Sequence, residues 1–435
     1  MEKQAVEKVV RHCVCTACGC TCDDIELSVG GNQIRKAANA CVIGKRWLLE
    51  PTDTSLPLAR IAGRPATLEQ ALDRAADILA EARFPVVYGV YESSCEAQKV
   101  AVELAEQIGG CLDLGQGGSG ESALQQVGEV TCTLGEVKAR ADLLVFWGCD
   151  PLESQPRHWG RYSVFPRGLF VPEGRRGRHV ITLRHERIKS ANGADSSILL
   201  APRKDFEALW TLRALVAGTT LSDQDRVDKA PIDFLRAMAE RMKQCKFGVL
   251  FRGPDFREAP GLSEAALLLV RDLNRFTQFR TLSMGERGNG VGARQVLTWQ
   301  SGFPGPVSYH RGYPVYGRGD FAAVRLFAAG QPDAAIVIIA DPLGDWPEAA
   351  QDQLRRVPFI AVDWRETSTT RAAPVALRTA PFATSTEGTV YRVDGVPLPI
   401  RPVLESSYPS VEQVLMKLGR MIEERQKESR ARAQN

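Results

Sequence analysis

No stretch of about 18 uncharged apolar residues occurs anywhere in the 435-residue chain, so no transmembrane helix is expected. The first twelve residues, Met1 to His12, are charged and lack the apolar core of a secretion signal, which points to the cytoplasm. Neither sign of charge dominates. The 55 Lys and Arg residues face 52 Asp and Glu, a net charge of +3, which argues against a general nucleic-acid-binding or membrane-binding surface. No internal repeat of roughly 20–50 residues is found, which argues against a solenoid or propeller. With 44% hydrophobic and 25% charged residues, the composition is that of an ordinary globular chain, long enough for roughly two to four domains.

Cysteine is what the chain has in abundance. Five of the 11 lie between Cys13 and Cys22. In a reducing compartment such a cluster signals metal rather than disulfides. The spacing that matters is Cys15-x2-Cys18-x3-Cys22-x18-Cys41. Its short intervals wrap one loop around three corners, and the fourth thiol returns after a hairpin expected at Gly30-Gly31-Asn32. Four thiolates can hold a 4Fe-4S cluster, and four can equally hold one zinc ion, although a zinc ribbon usually has two Cys-x2-Cys pairs. Lys45 would set a cation near a negatively charged cluster. Cys13, Cys20 and His12 are further candidates whose plain reading is packing. Cys95, Cys111, Cys132, Cys149 and Cys245 read as small core residues.

Beyond residue 58 the pattern alternates. Helices are expected over 67–82, 93–108, 204–216, 231–245, 261–275 and 411–430. Short apolar strands are expected over 85–91, 141–147, 179–183, 247–251, 334–340 and 358–364. That alternation predicts an α/β fold with doubly wound parallel sheets. The expected division is a Cys-rich head over 1–58, α/β domains over 59–190 and 191–385, and a C-terminal hairpin and helix over 386–435. The glycine-rich stretch 285–319 reads as something other than one regular element. Gly148 and Asp150 follow one buried strand and Asp341 another, where ligands gather in open α/β sheets.

Four blocks in order along nearly the whole chain carry a resemblance. They are Val14-Cys-Thr-Ala-Cys-Gly-Cys-Thr-Cys-Asp-Asp-Ile25; Trp147-Gly-Cys-Asp-Pro151 with Pro156-Arg-His-Trp-Gly-Arg161; Arg294-Gln-Val-Leu-Thr-Trp299 with His310-Arg-Gly-Tyr-Pro314; and Glu387-Gly-Thr-Val-Tyr-Arg-Val-Asp-Gly395. Together they resemble the B subunits of formylmethanofuran dehydrogenase, in the molybdopterin oxidoreductase superfamily. The resemblance implies the first three domains of a formate dehydrogenase: a cluster-bearing head and two α/β domains around a bis-pterin tungsten or molybdenum centre.

Active members of that family ligate the metal with a cysteine followed by a histidine, and they carry an arginine nearby. Here the corresponding region, 114–123, has neither cysteine nor histidine, and Ser119 is a poor match for a soft thiolate. The arginine position falls on Gly285, two residues from Arg287. These gaps make a tungsten or molybdopterin centre doubtful. The chain then looks like the B subunit of a bacterial formyltransferase/hydrolase complex, a non-redox scaffold accompanied by formyltransferase, amidohydrolase-type and C-type subunits. The alternatives are a working redox subunit that reduces carbon dioxide, and a zinc-headed interaction module. A methanofuran-type carrier with a polyglutamate tail would ask for clustered cations. Arg157, His158, Arg161 and Arg167 in one segment, and Arg287, Arg294, Arg311 and Arg318 in another, are expected to face one groove and grip it.

Overall fold

The computed structural model describes residues 8–50, 55–115, 120–201, 203–223, 225–285, 287–317 and 319–433. The chain opens with an antiparallel meander of β1 (Lys8–Cys13), β2 (Ile25–Gly30) and β3 (Gln33–Ala38). The β2–β3 turn is the two residues Gly31 and Asn32, with φ of +59° and +56°. That is the left-handed pair a tight hairpin needs. Helix Val42–Leu48 then begins at Cys41, whose Sγ accepts the Gly44 N–H at 3.4 Å.

Next come the edge hairpin β4 (Ala59–Ile61) and β5 (Arg64–Ala66), then β6 (Pro85–Gly89) and β7 (Cys111–Asp113). Helices Leu68–Glu81 and Cys95–Gln107 intervene. The first starts at a reciprocal cap between Thr67 and Gln70, which satisfies two otherwise orphaned amides. The chain then leaves this sheet to build another from β8 (Leu143–Trp147), β9 (His179–Arg184) and β10 (Ser196–Leu199). A small hairpin, β11 (Arg226–Val227) with β12 (Ala230–Pro231), precedes β13 (Phe247–Arg252) and β14 (Gln278–Ser283). The chain returns with β15 (Val307–Ser308), β16 (Val315–Tyr316), β17 (Ala334–Ile338), β18 (Phe359–Asp363) and β19 (Val375–Arg378). A last hairpin, β20 (Gly388–Tyr391) with β21 (Pro397–Ile400), leads to helix Val411–Ala433.

The two large sheets run β10-β9-β8-β13-β14, all parallel, and β16-β15-β7-β6-β17-β18-β19-β4-β5, parallel at its centre. Strands β8, β13, β17 and β18 are buried along their whole length. Helices cover both faces of such sheets, so their central strands are continuous apolar runs. The α/β class with parallel sheets is therefore as expected.

The expected boundary between residues 190 and 191 is corrected. It would part β9 from β10, which are parallel neighbours, and set β6 in a different domain from β17, its partner in the sheet. The five-stranded unit is instead an insertion within the nine-stranded one. Strand–helix alternation marks where strands lie but not which of them pair. The terminal helix is no separate unit either, since Val414, Leu415, Leu418 and Ile422 are buried in the core of the nine-stranded sheet. The stretch 285–319 holds a regular helix, Gly290–Ser301, which the glycine content hid.

The head is wedged between the two sheets. Cys15, Cys18, Cys20 and Cys22 pack with Phe146 of β8, Phe251 of β13, Trp159 and Met284. Trp47 meets Trp364, just past β18, edge to face at 5.5 Å. No helix among the described residues is long and apolar enough to cross a membrane.

Candidate functional site: the cysteine head and the adjoining cleft

The loop between β1 and β2 folds back on itself. Cys15 N–H donates to the Cys22 carbonyl at 2.9 Å, and Thr21 N–H to that of Cys18 at 3.1 Å. Cys15, Cys18 and Cys22 are buried and Cys41 is half-buried. A Cβ placed on Gly44 would lie 3.1 Å from Cys15 Sγ and 3.8 Å from Cys41 Sγ, so the distant fourth thiol does return to the loop. Burial pushes the Cys15 and Cys22 thiols up, because a thiolate there loses its water. At Cys22 the guanidinium groups of Arg157 and Arg161 partly offset that. Cys18 is pulled down, first by a hydrogen bond from Cys20, with Arg287 adding a smaller attraction.

The donor set, four cysteine sulfurs in one head with cations beside them, is of the kind that an iron–sulfur cluster takes. Around them, buried Thr16 Oγ1, Gln155 Nε2 and the Tyr162 hydroxyl have no hydrogen-bond partner among the described residues. Buried polar atoms of that kind ask for an acceptor or donor beyond the polypeptide. Among the described residues, no three His, Cys, Asp or Glu side chains are drawn close enough to hold a single metal ion.

Beside the head opens a cleft of about 470 Å³. It lies at the carboxyl ends of β6 and β17, where the nine-stranded sheet changes direction, the position at which open α/β sheets bind ligands. Tyr91 and Glu92 follow β6, Ala340 and Asp341 follow β17, and Trp364 and Arg365 follow β18. Arg365 bridges Glu92 at 2.9 Å and Asp363 at 3.4 Å. Burial pushes the Asp363 carboxyl up to about 6 despite that arginine. Carboxylates outnumber guanidinium groups on the lining, with Glu50, Glu92, Asp341, Asp345 and Glu366 against Arg287, Arg365 and Arg378. Arg287 is exposed and links cleft to head, lining the one while its charge reaches Cys18 in the other.

None of the described clefts is lined by arginines of both expected segments, and Arg318 lies outside the described residues. Arg157 grips Asp24 with two bonds of 2.5 and 2.6 Å, and Arg161 reaches Asp24 at 2.8 Å and Asp23 at 2.5 Å. Both are committed to locking the cysteine loop onto the five-stranded unit. His158 is wholly buried against Phe146 and Phe251, bonded to Ser163 at 2.9 Å, and its imidazole is pushed down to about 3, so it is a neutral core residue. Arg167 is exposed on the outer loop after helix Arg157–Arg161. Arg294 sits on helix Gly290–Ser301. Arg311 follows His310, whose ring packs on Phe84 at the start of β6, whereas Arg287 lies at that strand's far end.

The loop residues are structural as well. Asp150 accepts from Leu152 N–H at 3.0 Å and from Lys189 N–H at 2.6 Å. Asp341 accepts from the Thr369 amide at 2.8 Å and its hydroxyl at 2.6 Å, while also lining the cleft. Gly148 has φ of +64°, and a Cβ on Gly253 would stand 1.8 Å from its carbonyl oxygen. Backbone thus closes the direction change of the five-stranded sheet. The residues that sequence reasoning passed over are Gln155, Glu92, Asp363 and Arg365. The run Asp363-Trp-Arg-Glu366 at the end of an apolar strand was the available signal.

A bis-pterin metal centre fits the remaining residues poorly. No thiol or imidazole occurs in 114–123, and residues 116–119, with Ser119, lie outside the described ones. Gly285 has φ of +84°, a conformation that suits glycine rather than arginine.

No family model matches the chain. It is 36% identical over 411 residues to the B subunit of tungsten-containing formylmethanofuran dehydrogenase 2 of Methanocaldococcus jannaschii, covering 92% of this chain and 94% of that one. To the corresponding protein of Methanococcus maripaludis it is 32% identical over 412 residues, covering 92% and 95%. To the B subunit of the formyltransferase/hydrolase complex Fhc of Methylorubrum extorquens it is 29% identical over 301 residues, covering 65% and 75%. Among solved structures, the fold is similar to a chain of the formyltransferase/hydrolase complex FhcABCD from Methylorubrum extorquens in complex with methylofuran. The TM-score is 0.69 at 25% identity, covering 84% of this chain and 99% of that one. Acetylene hydratase from Pelobacter acetylenicus shares the fold alone, with TM-score 0.67 at 14% identity, covering 95% and 69%.

Proposed function

This chain belongs to the family of formylmethanofuran dehydrogenase B subunits, and within it we propose a non-redox scaffold of a complex that moves a formyl group and releases formate. One observation carries the reading: no thiol or imidazole in 114–123 where the family's metal ligands stand, together with glycine at 285. A heavy-metal centre without its soft donor has no protein bond to hold it. The partners in this reading are formyltransferase, amidohydrolase-type and C-type subunits, with a furan-type carrier bearing a glutamate tail. The carrier's anionic tail is held outside the cleft, because the carboxylates there repel it. The head holds an iron–sulfur cluster rather than zinc, since a polynuclear cluster spreads its four thiolates wider than one ion does. Metal binding would brace the wedge between the two sheets by adding to the folding free energy.

The higher identity to the tungsten-containing relatives than to the Fhc relative favours a second reading, a working dehydrogenase subunit. Iron, zinc, tungsten and molybdenum counted per chain in the anaerobically purified complex separate the two. Iron without tungsten or molybdenum is the expected result. One tungsten or molybdenum per chain overturns the scaffold reading.

A further inference from the structure

Another cleft, of about 780 Å³, opens in the five-stranded unit at the amino ends of β8 and β9. That is the end opposite to where open α/β sheets usually bind ligands. Its volume falls within the roughly 300–1,000 Å³ of small-molecule sites. Separate elements converge on it. Asp142 precedes β8, His179 opens β9, the turn Gly174–Gly177 brings Arg175 and Arg176, and helix Ile232–Gln244 brings Arg241.

The charges lining this cleft do not balance. Asp142 commits its two oxygens to the Phe247 and Lys246 amides at 2.8 and 2.9 Å. Asp195 accepts from Arg175 at 2.9 Å and from the Val180 amide at 2.7 Å, so this carboxylate and this arginine answer each other. Three guanidinium groups, of Arg176, Arg178 and Arg241, then face the single carboxylate of Asp142, an excess of two positive charges. Arg176 and Arg241 are exposed, and neither side chain makes a hydrogen bond or ion pair with another described residue.

Arg178 is the telling one. It is 3% exposed and has no ion pair among the described residues. Its terminal nitrogens donate to the carbonyls of Val137, Lys138, Ala141 and Pro166, which leaves Nε without a partner. Burial pushes the guanidinium down to about 10, although Asp142 attracts it. Burial and then the charge of Arg241 likewise hold the His179 imidazole below its ordinary value, against the pull of Asp195. A buried donor without an acceptor, and cations that repel one another, both cost free energy that a bound anion returns.

We propose that this cleft is a binding site for a ligand carrying two or more oxyanion groups, carboxylate or phosphate, gripped by Arg176 and Arg241 with Arg178 and His179 completing the wall. Planar guanidinium forks suit both kinds of group. The site is independent of the cysteine head and of what the head holds, so its failure would leave the scaffold reading untouched.

The test uses the purified complex with the native chain, Arg176→Ala, Arg241→Ala and the double variant. Isothermal titration calorimetry at low salt measures binding of two probes, inorganic tripolyphosphate and tri-glutamate. Saturable binding of at least one probe, one per chain, is expected. It should weaken severalfold in each single variant, at least tenfold in the double one, and in the native complex as salt rises. Preference for tripolyphosphate would mark the ligand as phosphorylated, and preference for tri-glutamate as a chain of carboxylates. Without probe, the double variant should keep or raise the thermal midpoint of the complex, because unpaired cations are removed. No saturable binding of either probe, or equal binding by the double variant, would overturn the site. A double variant with a lowered midpoint would make the two arginines structural and overturn it as well.

Discussion

Asn in place of Asp363 should stabilise the protein at neutral pH, although it removes a charged partner of Arg365. The carboxyl is wholly buried at the end of β18, and burial pushes it from 3.8 up to about 6, with Arg365 only partly opposing the rise. The folded chain therefore binds a proton there more tightly than the unfolded one. The stability contributed by this group is full below about pH 4 and is lost as pH rises through about 6. Two tenfold steps in proton affinity at about 1.4 kcal/mol each make the loss about 3 kcal/mol by pH 8. Asparagine mimics the protonated acid and still accepts the Arg365 N–H, now held at 2.9 Å. The variant should thus be about 1–3 kcal/mol more resistant to opening at pH 8, with the difference fading toward pH 4. Pulse proteolysis in denaturant at pH 4.5 and pH 8 reads this directly, as a shift in the midpoint for loss of β18. A variant weaker than the native chain at pH 8 would refute the reasoning, because it would make the triad with Glu92 and Arg365 a net support.

Asp24 should act with the opposite sign. Burial raises its carboxyl, but the Arg157 bond and the charges of Arg161 and Arg157 outweigh that and hold it below the usual range. Its contribution is present above about pH 4 and lost as pH falls through the lowered value, so Asp24→Asn should loosen the head at neutral pH and remove part of its acid sensitivity. Both partners are partly exposed, which limits the effect to roughly 1 kcal/mol, measurable as a lower unfolding midpoint in denaturant at pH 7. Arg167→Ala and Arg311→Ala should each leave carrier retention by the complex unchanged, since neither side chain lines a described cleft. A several-fold loss in either would restore a role for that segment in holding the anionic tail.

Much of this architecture could be read from residue order. Strands such as β17 and β18 stand out because a strand covered on both faces is an unbroken apolar run between turn residues. Helix Leu68–Glu81 announces itself through Thr67 and Gln70. The head was visible because thiol spacing is a local property. What could not be read were relations across long separations. Arg157 and Arg161 look like free cations in the sequence, yet their partners Asp23 and Asp24 lie more than a hundred residues earlier. The insertion of one sheet within another leaves no mark on either strand's composition. Helix Gly290–Ser301 escaped notice because Gly290 and Gly292 are poor helix formers. Its start is held by Asn289, whose side-chain oxygen accepts the Tyr391 amide at 2.8 Å and whose side-chain nitrogen donates to the Ser93 carbonyl at 3.0 Å.

The same loop bears on whether redox chemistry could be restored by one substitution. Gly285 follows β14 with φ of +84°, and a Cβ there would lie 3.2 Å from Pro254 Cγ. Arginine at this position therefore enters a left-handed backbone against a rigid proline ring, at a cost of about 1–3 kcal/mol. The loop must shift to take it, and that shift would carry Arg287, which faces Cys18, away from the head. Gly285→Arg should accordingly lower the thermal midpoint by several degrees, and the complex should still contain no tungsten or molybdenum, because 114–123 supplies no sulfur to receive either metal. A Gly285→Arg complex that keeps its midpoint and takes up a heavy metal would mean that the loop was only one side chain short of a redox site, and the scaffold reading would have to be abandoned.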